Sequence, residues 1–196
     1  MSKANLLDRR AVVAQLLRDR NGAIAVGGLG ASTYDIAAAG DHDRNFYLWG
    51  GMGGAVMIGL GLALAQPNLP VVVITGDGEM LMGMGSLATV GLQQPKNLSI
   101  IVLDNEAYGE TGGQVSHTAA SADLVGVAKA CGIKDSRAVS TMAEVEAFAA
   151  SLQDVTAGPR FASAKIDGAN LERVLSSRDG TYIVNRIRGS LGHTPI

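Results

Sequence analysis

"PVVVITGDGEM", residues 70–80, decides how the rest of the chain is read. The β-branched run between Pro70 and Gly76 reads as a strand buried on both faces, as in parallel sheets covered by helices. It ends on Asp77, a carboxylate held between two glycines. Glycine allows tight turns and close approach of the backbone to a ligand, and Asp77 supplies a hard oxygen. The pattern suits a metal-bridged phosphate, and it equally suits a turn with a helix cap.

Working outward, "LSIIVLDN" (98–105) is a second buried strand, with a helix through "SLATVGLQQ" before it. Upstream, "LLDRRAVVAQLLRDR" (6–20) has helical spacing and "AIAVGG" (23–28) is a short strand. "STYDIAAAG" (32–40) is a helix capped by Ser32 or Thr33, a short strand lies near Phe46 to Leu48, and a helix packed on all sides runs from about Met52 to Ala65. Downstream of the loop 106–118 come a helix ("SADLVGVAKACG"), a strand ("SRAVS"), a well-capped helix ("TMAEVEAFAASLQD") and a last strand at 160–167. Strands alternating with helices give an α/β class: a doubly wound, mostly parallel sheet with helices on both faces. One domain spans 1–196, and in the tail 168–196 "TYIVNRIR" fits strand or helix.

Composition agrees. Hydrophobic residues make up 47%, enough for a sizeable core, and 26 glycines fit tight strand–helix turns. The net charge of −2 favours neither nucleic acid nor an anionic membrane as partner. The single cysteine, Cys131, excludes an intrachain disulfide and a cysteine-based zinc site and reads as inert core. The charged start "MSKANLLDRR" has no signal-type apolar core, so the expectation is a cytoplasmic protein.

Ligands of parallel α/β sheets bind beyond the carboxyl ends of the strands. "GGLG" (27–30), "TGDGEM" (75–80) and "LDNEAYGETGG" (103–113) all fall there. Asp77 and Asn105 end the two strongest strands, and an all-oxygen set suits Mg²⁺ or Ca²⁺. The glycines leave backbone N–H groups for phosphate oxygens.

"GDG" at 76–78, twenty-five residues, then "DN" at 104–105 closely resembles the thiamine diphosphate motif, which opens with GDG and usually closes with NN. "LWGGMGGAVMIGLGLALA" (48–65) is similar to the stretch before GDG in thiamine-dependent 2-oxo acid decarboxylases. The resemblance implies thiamine diphosphate and Mg²⁺ as cofactors, with Asp77, Asn105 and the Ala107 carbonyl as metal ligands. It implies that Met52 wedges beneath the cofactor and that the Gly50 carbonyl receives its exocyclic amine. Gly51, Gly76, Gly78, Glu79 and Tyr108 complete the implied cofactor contacts, and the glycine turn GGLG, an unspecific signal, offers backbone from Gly28 and Leu29 to the diphosphate end. Asp104 departs from the usual first Asn of the motif.

The resemblance covers only the diphosphate-binding domain, roughly residues 20–167. The glutamate that activates the cofactor sits on a separate pyrimidine-binding domain in this family. It is therefore expected on a partner subunit, in an α2β2 or larger hetero-oligomer. "DHDRNFYLWGGMG", "GDGEMLMGMGSLATVG" and "LDNEAYGETGGQ" resemble sulfopyruvate decarboxylase β subunits and phosphonopyruvate decarboxylases. These decarboxylate a three-carbon 2-oxo acid bearing an anionic group, giving CO₂ and an aldehyde. Glu110 and His117 are proton-relay candidates or loop residues, and His42 and Arg44 meet an anionic substrate tail or are solvated. A carboligase or 2-oxo acid oxidoreductase subunit and a non-catalytic cofactor-binding subunit are the alternatives.

Overall fold

The computed structural model describes residues 6–196, so the first half of the charged opening segment lies outside the described residues. The elements run α1 (Arg9–Arg18), β1 (Ile24–Gly27), α2 (Ala31–Ala38), β2 (Asn45–Tyr47), α3 (Ala55–Ala65), β3 (Val71–Gly76), α4 (Asp77–Met82) and α5 (Ser86–Gln93). They continue with β4 (Leu98–Asp104), β5 (Ala107–Tyr108), β6 (Gln114–Val115), α6 (Leu124–Ala130), β7 (Asp135–Val139), α7 (Met142–Ser151), β8 (Arg160–Lys165) and α8 (Gly180–Ser190). Six strands form one parallel sheet in the order β2-β1-β3-β4-β8-β7, while β5 and β6 make a small antiparallel hairpin.

Alternation along each strand feeds two cores. Val72, Ile74, Ile101 and Leu103 pack on one face with Val13 and Leu16 of α1 and Phe148 of α7. Val71, Val73, Ile100 and Val102 pack on the other with Leu60 of α3, Leu87 of α5 and Ala128 of α6. Helix α8, from the undecided tail, puts Ile183 into the first core and Ile187 into the second. No helix among the described residues is long and apolar enough to cross a membrane.

Three local expectations change. Helix α2 starts at Ala31 after Gly30 (φ 77°) and no side chain caps it; Thr33 instead donates to the Gly28 carbonyl at 2.7 Å. Helix α3 starts three residues later than read from the sequence, because Gly53 turns with φ 88°. Gly53 also lies so close to α4 that a Cβ on Gly83 would come 2.2 Å from its carbonyl oxygen. Helix α3 is not packed on all sides either: Met57 and Leu64 are 45% and 51% exposed. Met82, Met84 and Leu92, on α4, α5 and the turn between them, are exposed apolar side chains as well.

The cap of α7 is as read. The Thr141 hydroxyl accepts the Glu144 N–H, and Glu144 Oε2 accepts the Thr141 N–H at 3.0 Å, a capping box. Thr141→Ala should lower stability by about 1 kcal/mol, seen as an earlier urea midpoint with an unchanged slope.

Candidate active site

Strands β3 and β4 pair in register with Gly76 opposite Leu103, so Asp77 and Asp104 leave the sheet side by side. Asp77 is 2% exposed. Its Oδ2 accepts a hydrogen bond from the Ser116 hydroxyl and lies 3.2 Å from the Thr118 hydroxyl. Thr118 donates at 2.7 Å to Asp104 Oδ1 and so bridges the two strand ends. Burial, aided by the Asp104 charge, raises the Asp77 pKa, while the Ser116 hydrogen bond opposes the rise.

Asp104 is occupied on its other side. The Lys165 ammonium lies 2.8 Å from Asp104 Oδ2 and 2.6 Å from Glu106 Oε1. Burial alone would lower the Lys165 pKa, but its hydrogen bonds to Asp104 and Glu106 outweigh that and raise it. A lysine thus balances the carboxylate that stands where Asn is usual. Asn105 stands apart from that network: among the described residues its side-chain oxygen accepts only the Ala107 N–H, at 3.1 Å, which fixes its direction.

Both Asp77 and Asn105 line one cavity of about 540 Å³, a size that suits a cofactor. Met52, Leu29, Gly76, Gly78, Glu79, Ala107, Tyr108, Glu110 and His117 line it too. Gly78 is required by crowding, since a Cβ there would come 2.6 Å from the Tyr108 ring and 3.5 Å from Met52 Cε. Met52 and Tyr108 therefore converge over the first turn of α4. The Tyr108 hydroxyl lies 3.2 Å from His117 Nδ1.

Glu79 braces the β1 turn from below. Its Oε2 accepts the Leu29 N–H and the Thr75 hydroxyl, each at 2.8 Å. Among the described residues its Oε1 is buried without a hydrogen bond of good geometry, and burial raises the carboxyl pKa against the Thr75 hydroxyl and the Leu29, Ala55 and Gly53 N–H groups. Gly28 must be glycine here, because a Cβ would sit 1.8 Å from Glu79 Oε2.

Some candidates move out of the site. Gly28 does not line the cavity, and its N–H is bonded to the Ile74 carbonyl at 2.8 Å. Leu29 lines the cavity, but its N–H is taken by Glu79. Gly50 and Gly51 lie in the turn just before Met52, outside the cavity wall. Arg44 is tied to the Gly22 and Ser190 carbonyls and His42 Nδ1 accepts the Arg44 N–H, so neither reaches the cavity. The sequence reading missed Ser116, Thr118 and Lys165. No motif marks them, because each acts across a long stretch of chain.

No cluster of three or more His, Cys, Asp or Glu suited to a metal occurs among the described residues. One buried carboxylate, one amide oxygen and a neighbouring backbone carbonyl are a different kind of set. Mg²⁺ takes few protein ligands and completes its octahedron with phosphate and water. The burial of Asp77, which its Ser116 and Thr118 hydrogen bonds offset only in part, fits that role, since a bound cation would favour the charged carboxylate.

Residues 26–163 match the family described as thiamine pyrophosphate enzyme, C-terminal TPP binding domain. The chain belongs to the thiamine pyrophosphate enzyme family. The sulfopyruvate decarboxylase subunit beta of Methanocaldococcus jannaschii is 46% identical over 110 residues, 56% of this chain and 58% of that protein. Phosphonopyruvate decarboxylase of Streptomyces viridochromogenes is 41% identical over 162 residues, 82% of this chain and 39% of that protein. The match thus spans 58% and 39% of the length of these two curated relatives. The fold is shared with a thiamine diphosphate-dependent 4-hydroxybenzoylformate decarboxylase from Rhodococcus jostii RHA1. That structure superposes with a TM-score of 0.64 at 23% identity, over 85% of this chain and 34% of that one. Within the family, the GDG and DN segments of this chain are the two strand ends that meet at Asp77 and Asn105.

Proposed function

We propose that this chain binds thiamine diphosphate through Mg²⁺ and, joined by a partner subunit, decarboxylates a small 2-oxo acid with an anionic group, of the sulfopyruvate or phosphonopyruvate type. The observation that carries this reading is the meeting of Asp77 and Asn105 in one cavity, with Met52 over Gly78. Asp77, Asn105 and the Ala107 carbonyl would hold the ion, and Gly76, Gly78 and Glu79 would offer backbone contacts to the diphosphate. When bound, the cofactor supplies the electron sink that decarboxylation needs.

The chain's own residues bind and orient. Met52 takes the wedge position, and Tyr108 packs beside it. Gly50 and Gly51 lie outside the cavity wall of this chain alone, and the Gly50 carbonyl would receive the exocyclic amine only in a site completed by the partner. His117, hydrogen-bonded to Tyr108, is the better placed of the two proton-relay candidates; the Glu110 side chain lies against Gly30.

The partner reading is supported by the exposed apolar side chains Met57, Leu64, Met82, Met84 and Leu92. Apolar surface of that kind in a chain otherwise well packed marks an association site. The partner would be the pyrimidine-binding subunit that brings the activating glutamate, in an α2β2 or larger assembly.

The purified chain is assayed with Mg²⁺, thiamine diphosphate and a panel of 2-oxo acids, alone and with the subunit encoded beside it. CO₂ and aldehyde are expected only with the partner and without an electron acceptor. Equal turnover by the chain alone would defeat the split site, and dependence on an electron acceptor would indicate an oxidoreductase. At one hundred times Kd, Mg²⁺ and cofactor together should raise the melting temperature by roughly 5 °C or more.

A further inference from the structure

The segment 167–179, between β8 and α8, lies as a strap across one end of the cavity. It is fastened where Arg10 donates to the Glu172 carbonyl at 2.6 Å and where the Trp49 indole donates to the Ser177 carbonyl at 2.8 Å. From this strap Arg173 reaches into the cavity lining, its guanidinium 5.4 Å from the Tyr34 ring centroid.

The wall facing the strap is the start of α2. Its first N–H groups have no side-chain cap, which leaves donors and positive dipole for an anion. Ser32, in the same turn, is 2% exposed and lines the cavity. Its hydroxyl makes no hydrogen bond among the described residues. The free N–H groups of this helix start, with a cavity-lining hydroxyl beside them, offer donors to an acidic ligand.

That seat holds an anion of the chain's own. Glu110 lies against Gly30, where a Cβ would come 2.8 Å from its Cγ and Oε1. Arg173 Nη2 is 3.6 Å from Glu110 Oε2. The two side chains are 63% and 41% exposed, so water screens the pair and it is readily exchanged. A terminal phosphate offers more charge and more acceptor oxygens than a carboxylate, and guanidinium binds it in two-point fashion.

We propose that Arg173 is a diphosphate-binding residue that exchanges Glu110 for the terminal phosphate of the cofactor, Glu110 being the placeholder that the cofactor displaces. This rests on the thiamine diphosphate reading above. It gives the strap a role in cofactor affinity and sets Glu110 against binding.

The test titrates the full chain, in Mg²⁺, with thiamine diphosphate and separately with inorganic diphosphate. Binding is followed by calorimetry and by the fluorescence of Trp49, the single tryptophan, which is hydrogen-bonded to the strap. Arg173→Gln should weaken both ligands roughly tenfold and Arg173→Lys by less, as expected for loss of one charge-assisted contact. Glu110→Gln should tighten both about threefold, and that gain should shrink in the Arg173→Gln background. Arg178→Gln, a charge change on the same strap, should stay within twofold. Wild-type affinity in Arg173→Gln, or equal weakening in Arg178→Gln, would overturn the exchange while leaving the cofactor reading intact. Wild-type protein that binds neither ligand in Mg²⁺ would overturn both.

Discussion

Asp77→Asn should weaken thiamine diphosphate binding in Mg²⁺ by about a hundredfold or more, yet leave the ligand-free chain folded and at least as stable. Mg²⁺ demands a hard charged oxygen, and loss of the only carboxylate in the proposed set removes most of its attraction. The fold loses little, because Asn has the same shape and its side-chain oxygen can still accept from Ser116. It also removes a buried charge. Burial raises the Asp77 pKa in the folded chain, so its charged form opposes folding at neutral pH, and that penalty fades as pH falls through the raised value. Asn lacks the penalty at every pH. Calorimetric titration and thermal unfolding of the same preparation measure both halves. A variant with wild-type cofactor affinity, or one that is strongly destabilised, contradicts the assignment of Asp77 as a ligand held at a cost to stability.

Lys165→Met should destabilise the chain by about 2–3 kcal/mol. It strips Asp104, 3% exposed, of its counter-ion while Asp77 stands beside it. The figure is set below the range for fully buried pairs because the ammonium keeps some contact with water. The Asp104→Asn, Lys165→Met double variant should recover part of the loss, since a neutral pair leaves no stranded charge. The bridge raises the Lys165 pKa, so its contribution is complete below the ordinary lysine value. It is lost only as pH climbs through the raised one. Urea unfolding of the two variants and the parent at pH 7 measures this, and an unchanged midpoint in Lys165→Met would show that Asp104 is neutralised in some other way.

The parallel sheet was legible because β3 and β4 are unbroken β-branched and aliphatic runs, a pattern only a doubly covered strand tolerates. Asp77 and Asn105 were legible because each directly follows such a run. The starts of α2 and α3 were not, since glycines at positive φ (Gly30, Gly53) decide where those helices begin and glycine carries no signal of its own angle. The open face of α3 was misread because a helix of small and apolar residues looks the same whether its far side meets its own core or another chain. The Ser116 and Thr118 contacts to Asp77 span 39 and 41 residues, and the Lys165 contact to Glu106 spans 59. Such contacts depend on how a loop returns over the sheet edge, which local pattern does not encode. Arg173 belongs with them: only the path of the strap brings it to Glu110.

The most direct measurement is a crystal structure of the chain grown with Mg²⁺ and thiamine diphosphate. The expected result is one ion at about 2.0–2.1 Å from an Asp77 carboxylate oxygen and from the Asn105 side-chain oxygen, with diphosphate oxygens completing its shell. Cofactor bound elsewhere, or bound in this cavity with either side chain turned away from the ion, would contradict it.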